Sequence, residues 1–336
     1  MSLWRQKSIR VALCAVLFLA GIFAGHRVLF PPLPLVGVIQ WTREIKVIDD
    51  APQWVTEGLR EEGYLDGLNI RLEIKDAHGE RDEAAALTRK LVKKGARLLI
   101  TVGTVPTLIA LEVTRDSKIP IVYTVVASPN NTGLARPEPP EAVRFTGASM
   151  EVPATEQLRF LLLARPKLKR LGILFCTATP PAVATGMAAE ESCPSLGLTP
   201  ILRTVTDDRP ELLRETLKDL LEQKIEALFI PADPVLRRPD LLRNICAVAM
   251  QAHIPVIAAD GDSMAHGPFM SYHCDFPEMG RQAGRQAARI LNGKPLELIP
   301  PETPVVKKLT LNLKVAQELG LSLPRQLLCQ AHRFYQ

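Results

Sequence analysis

Residues 227–260 read ALFIPADPVLRRPDLLRNICAVAMQAHIPVIAAD. An apolar run at Ala227–Ile230 is followed by a helical pattern over Leu236–Ala252 and a second apolar run at Val256–Ala259. Short, near-continuous apolar strands separated by a helix are the pattern of a parallel βαβ unit, in which both faces of the sheet are covered. Each strand runs into an acid, Asp233 and Asp260, and a third run, FMSYHCD, ends at Asp275. In an open α/β sheet the residues just beyond the carboxyl ends of parallel strands line the ligand crevice. Three acids there, with no metal-ligand or nucleophile motif nearby, suggest a site that holds a polar, cationic ligand group and does no chemistry on it.

Working outward, the same alternation fills residues 35–325. The first half gives strands at Leu35–Gln40, Asn69–Lys75, Arg97–Val102 and Ile121–Val125. Helices are expected at Pro52–Glu62 (closed by Gly63), at Glu80–Lys94 and after Gly103. A Pro/Asn/Gly-rich loop, Ser128–Arg144, interrupts the pattern, and RFTGASM then leads into a helix at Pro153–Ala164. The alternation restarts with strands at Leu171–Phe175 and Thr199–Val205 and helices at Ala182–Ser195 and Arg209–Gln223. It closes with a short strand near Phe269–Tyr272, a helix at Glu278–Leu291 ended by Asn292-Gly293, and a strand around Leu309–Leu311. Roughly 300 residues exceed one ordinary core, so two doubly wound parallel-sheet lobes divided near residue 150 are expected, one large sheet being the alternative.

Composition sets further bounds. The chain has 336 residues, 47% hydrophobic and 23% charged, with a formal net charge of +5 scattered over its helices. No basic stripe or nucleic-acid motif stands out, so a solvated surface is the reading and nucleic acid is not an expected partner. At the N-terminus, Arg5, Lys7 and Arg10 precede an apolar run from Val11 to Phe23, the pattern of an export signal. No clean small-x-small cleavage site follows, and the run can be extended to Phe30, near the ~20 residues that span a bilayer. Residues 1–33 therefore read as a signal peptide or an uncleaved apolar anchor helix plus linker, both open. The cysteines after Cys14 show no metal spacing and are odd in number, so buried apolar roles are expected, with a Cys176–Cys193 bridge open. The histidines are dispersed, and no nucleotide, hydrolase-elbow or kinase signature occurs.

Several positions could carry binding. Gly103-Thr104 follows a buried strand and opens a helix, whose unpaired N–H groups and positive dipole end favour a carboxylate or phosphate; a plain helix cap is the bland alternative. Ser128 stands past the fourth strand. Gln40 and Trp41 end the first, where an indole can cover a ligand or simply decorate the lobe. Asp233, Asp260 and Asp275 could each be an ordinary helix cap; three at equivalent strand ends suggest a shared crevice.

These segments resemble a known family. VGVIQ, EGLREEGYLDGLNIRLEIKDAHGE, LLITVGTVPT, IPIVYTVVASP, RFTGAS, LFIPAD, IPVIAAD and MGRQAGRQAARILNGKP together are similar to ABC-transporter substrate-binding proteins. The nearest group includes tryptophan- and other aromatic-amino-acid-binding lipoproteins. The resemblance covers nearly all of residues 35–325 and implies a type I periplasmic binding protein fold, with two lobes joined by a three-segment hinge. It places the crossings near 149–152, 265–270 and 293–300. Lobe 1 would then comprise 34–150 and 268–295, lobe 2 would comprise 151–267 and 296–325, and 326–336 would form a tail. Departures from the group fall at Val105-Pro106-Thr107, at Ser128-Pro129 and at Arg43-Glu44.

The resemblance implies a non-enzymatic, cofactor-free and metal-free exported protein. It would capture an amino acid or related zwitterion between the lobes and deliver it to a membrane permease. Its site would comprise Gln40, Trp41, Gly103, Thr104 and Ser128 on one lobe and Asp233, Asp260 and Asp275 on the other. A periplasmic or extracytoplasmic monomer is expected, tethered if the N-terminal helix is retained; a membrane-tethered sensing domain is the alternative.

Overall fold

The computed structural model describes residues 32–134 and 143–336. The N-terminal segment expected as signal or anchor lies outside the described residues. Among the described residues no helix is long and apolar enough to cross a membrane.

The first lobe runs β1 (Leu35–Gln40), α1 (Lys46–Glu61), β2 (Arg71–Asp76), α2 (Arg81–Lys93), β3 (Leu98–Val102), α3 (Thr104–Val113), β4 (Ile121–Val126) and β5 (Phe145–Ser149). Its five strands are all parallel, in the order β2-β1-β3-β4-β5. Every residue of β1, β3, β4 and β5 is buried, which is why these strands read as unbroken apolar runs; β2, on the edge, is half exposed. Strand β5 was not expected. Its sequence, FTGAS, has too little apolar content to announce a strand, yet it pairs along β4.

Helix α1 starts ahead of the expected Pro52. Val47, Ile48 and Ala51 continue the buried face of Val55 and Leu59, and that burial outweighs the backbone hydrogen bond Pro52 cannot make.

The second lobe runs α4 (Ala154–Ala164), β6 (Arg170–Cys176), α5 (Pro180–Ser192), β7 (Thr199–Val205), α6 (Pro210–Glu222), β8 (Ala227–Ile230), α7 (Pro239–Gln251), β9 (Val256–Ala258) and β10 (Met270–Cys274). The chain then gives α8 (Phe276–Leu291), β11 (Lys307–Asn312), α9 (Leu313–Glu318), α10 (Arg325–Gln330) and β12 (Ala331–Tyr335). The second sheet is ordered β12-β11-β10-β9-β8-β6-β7, and only β10 and β11 pair antiparallel.

Three boundaries differ from expectation. Strand β10, assigned above to the first lobe, pairs with β9 and β11 of the second. The chain therefore leaves the second lobe at Asp275, later than 265–270. Residues up to Glu302 stay with the first lobe: Glu302 N–H donates to Gly147 O at 2.8 Å and Ser149 N–H donates to Glu302 O at 3.0 Å, extending the β5 edge. Residues 331–335, expected as tail, form β12 beside β11.

Helix α8 packs on α1, and two glycines set that contact. A Cβ on Gly58 would stand 2.2 Å from Arg281 O, and one on Gly284 2.3 Å from Val55 O. Arg281 and Arg285 close the outer seam with Glu57, Glu61 and Glu278. All five cysteines among the described residues are free; Cys176, Cys193, Cys246 and Cys274 are buried and Cys329 is exposed.

Candidate functional site

Strands β8, β9 and β10 are neighbours, so Asp233, Asp260 and Asp275 do end up along one edge of the second sheet. Their carboxylates, however, are already committed. Asp233 is fully buried. Its Oδ2 accepts from Cys176 N–H at 2.5 Å, and its Oδ1 accepts from Val235 N–H at 2.8 Å and Leu236 N–H at 3.0 Å. The side chain thus ties the end of β6 to the loop after β8. Burial pushes its carboxyl above the usual range, against the pull of those N–H donors.

Asp260 is also fully buried. It accepts from Ser263 N–H at 3.0 Å and Ser263 Oγ at 2.6 Å, and pairs with Arg237 Nε at 2.6 Å. Asp275 pairs with Lys308 Nζ at 2.7 Å, and its backbone carbonyl accepts from Met279 N–H in the first turn of α8. Backbone donors, Ser263 and Arg237 thus engage the carboxylates of Asp233 and Asp260, and Lys308 pairs with one oxygen of Asp275. An acid at a strand end meets unpaired N–H groups of the next turn first, and satisfying those is the shorter reach.

The first lobe's rim is different. Gln40, buried at the end of β1, has an Nε2 with no partner. Trp41 follows, half buried, with its Cβ 3.7 Å from the position a Cβ on Gly103 would take. Gly103 sits at φ +108°, a conformation that favours glycine, and precedes α3. Thr107 Oγ1 donates to Gly103 O at 2.6 Å and bonds Thr101 Oγ1 at 2.8 Å, pinning the first turn of α3 to β3. Thr104 is buried at that helix start. At the end of β4 the register shifts, and Val125 (φ +55°) and Ser128 (φ +43°) are both left-handed. Such conformations cost about 1–3 kcal/mol each and cluster where backbone is bent to serve a site.

That bend turns Ser128 into a narrow cleft of about 40 Å3 at the junction of the lobes. Ala127 and Ser128 line it from the first lobe. Phe229, Pro231, Ala232 and Ala259 line it from the strand ends of the second, with Thr185 and Ala188 of α5. Met150, Glu151 and Val152 line it from the chain that crosses between lobes. On one side the lobes touch, the 3-10 turn Pro129–Thr132 meeting α5 around a second hollow that includes Asn131, Val183 and Met187. Of the eight residues singled out from sequence, Ser128 alone lines the cleft itself; the direct neighbours of Asp233 and Asp260 do so in place of the acids.

Residues 36–334 match the family of ABC transporter substrate-binding proteins. The chain belongs to that family.

Among its relatives is a tyrosine-binding protein of Clostridioides difficile (strain R20291), 23% identical over 268 residues, which are 80% of this chain and 75% of that protein. Similar solved structures include a Streptococcus pneumonia domain in complex with L-Trp. It has a TM-score of 0.75 and 21% identity, over 90% of this chain and 99% of that one. A ligand-free, open substrate-binding protein with adhesive properties from Clostridium difficile gives the same TM-score and coverage at 22% identity. A leucine-binding protein from Thermotoga maritima is more distant, with a TM-score of 0.62 and 12% identity over 85% of this chain and 87% of that one. These likenesses establish the type I periplasmic binding protein fold.

In this substrate-binding protein the residue that sequence reasoning missed is Glu151. Burial pushes its carboxyl above the usual range, partly offset by a hydrogen bond from Ser128. It follows a strand that was not recognised, and no local motif marks it. The available signal was an acid directly after the RFTGAS segment, where the chain passes between lobes.

Proposed function

We propose that this substrate-binding protein is exported, captures an amino acid or related zwitterion between its lobes and delivers it to a membrane permease. The carrying observation is a cleft walled by both lobes and by the first segment that crosses between them. A ligand there touches both lobes and the first crossing between them, and hinge closure around a ligand is an established switching mode. The tyrosine-binding relative and the L-Trp complex support an aromatic amino acid as the first candidate.

On this reading the ligand carboxylate lies toward the Gly103-Thr104 start of α3, where the free N–H groups of Thr104 and Val105 and the helix dipole favour an anion. Gln40 lines a separate hollow beside α1 with Arg43, Asp49 and Gln53, while Trp41 covers the ligand's side chain. The alanine-rich wall of the second lobe gives that side chain an apolar seat. The basic and apolar N-terminal residues act as export signal or tether.

Isothermal titration with a panel of amino acids tests the reading. One or a few should bind, with a decrease in radius of gyration by small-angle scattering as the lobes close. Absence of binding by every amino acid would remove the zwitterion part. Native mass spectrometry of protein purified without refolding should show the mass of a captured ligand.

A further inference from the structure

We propose that Glu151 is the acceptor for the ligand's ammonium group, a role for which Asp233 and Asp260, already engaged inside the protein, are less available. This rests on the amino-acid reading above and names the residue that would give it charge selectivity.

Three observations converge on Glu151. It lines the cleft, on the first of the crossings between lobes. Ser128, in the left-handed turn at the end of β4, lines the same cleft, and its hydroxyl favours the charged form of the Glu151 carboxyl. And Glu151 has no cation of its own among the described residues. Other acids of the two lobes have a cation or backbone donors: Asp260 has Arg237, Asp275 has Lys308, Glu156 has Lys307, Glu302 has Arg289, and Asp233 has three N–H groups.

A half-buried carboxylate with one hydroxyl partner is under-solvated, and a cation placed against it recovers that cost. The upward displacement of its carboxyl by burial agrees with an empty seat for positive charge. Tyr123, buried with an unpartnered hydroxyl, is the titratable neighbour that feels this charge; it carries none at neutral pH, so it does not compete for the role. The position also has a mechanical consequence. Residues 150–153 join β5 to α4, so an ammonium seated on Glu151 bonds the hinge itself and couples occupancy to the angle between lobes.

Titration calorimetry on the full protein, at neutral pH, tests this. The probes are tyrosine, tryptophan and leucine, the amines tyramine and tryptamine, and the deaminated acids 3-(4-hydroxyphenyl)propionate and indole-3-propionate. Wild type should prefer an amino acid over its deaminated counterpart. Glu151→Gln should weaken the amino acid about 10- to 100-fold, the loss of one charge-assisted hydrogen bond, while leaving the deaminated acid within about 3-fold. Thermal unfolding checks that the variant is folded. If it is not, Glu151→Asp takes its place and should weaken the amino acid while leaving the deaminated acid alone. A folded variant that binds the amino acid as wild type does overturns the role of Glu151 and leaves the amino-acid reading standing. Equal affinity of wild type for an amino acid and its deaminated counterpart also overturns it. Wild type that binds none of the amino acids or amines overturns both.

Discussion

The polar residues at the strand ends of the two lobes, and on the segment that crosses between them, are spent in opposite ways. On the second lobe, Asp233 and Asp260 are fully buried and saturated by Cys176, Val235, Leu236, Ser263 and Arg237. On the first lobe and its crossing, Gln40 Nε2 has no partner, Glu151 has no cation among the described residues, and Val125 and Ser128 hold left-handed backbone. The difference teaches that an acid at a strand end identifies the edge of a sheet better than it identifies a ligand contact. Polar groups already satisfied hold the scaffold; those left short are where a ligand can gain.

The comparison breaks most visibly at Asp233. Asp233→Ala strips the acceptor from three N–H groups, two of them buried, and should cost about 3 kcal/mol, read from urea unfolding. Loss of ligand affinity with stability unchanged would instead put Asp233 in the site. Next, Glu278 probes acid saturation away from the cleft. Burial raises its carboxyl, but Arg285 and Arg281 outweigh that and hold it below the usual range. A depressed folded pKa contributes stability above the unfolded carboxylate range that is lost as pH falls through the folded value. Glu278→Gln should therefore cost about 1 kcal/mol at neutral pH and flatten the acid limb of a Tm-against-pH curve.

Glu151 should show the opposite sign. Its folded pKa is raised, so its favourable contribution is complete below the unfolded carboxylate range and is lost as pH rises through the folded value. Ligand-free Glu151→Gln should remove that decline from the Tm-against-pH curve; an unchanged curve would mean the carboxylate is better solvated than its surroundings indicate. The smallest effect is expected at Ser128. Ser128→Ala removes the hydrogen bond that lowers the Glu151 carboxyl, so the Glu151 limb should move to higher pH, with less than about 1 kcal/mol of stability change at neutral pH. A shift to lower pH would separate Ser128 from Glu151.

Much of the fold was legible from period and punctuation. LVGVIQ, RLLITV, LGILF and ALFI announce buried strands because parallel strands are covered on both faces, and the helices between them carry apolar stripes. What escaped were elements whose identity comes from a partner: β5, built from FTGAS against β4; β12, from AHRFY against β11; and the sheet that β10 joins. The start of α1 escaped because Pro52 reads as a beginning, while the buried face of Val47 and Ile48 extends past it.

At the site, the sequence placed Gln40, Trp41, Gly103, Thr104, Ser128 and the three aspartates at strand ends, and they stand there. It could not say which were already hydrogen-bonded. By itself, then, the sequence determined the alternation of strands and helices, because local periodicity and turn chemistry encode it, and its motifs carried the resemblance to the family. Only the tertiary structure decided which carboxylates are used up inside the protein and that Glu151 is left beside the cleft. A carboxylate's partners come from Cys176, Arg237 and Lys308, residues distant along the chain, and the free energy of a buried charge depends on what surrounds it in space.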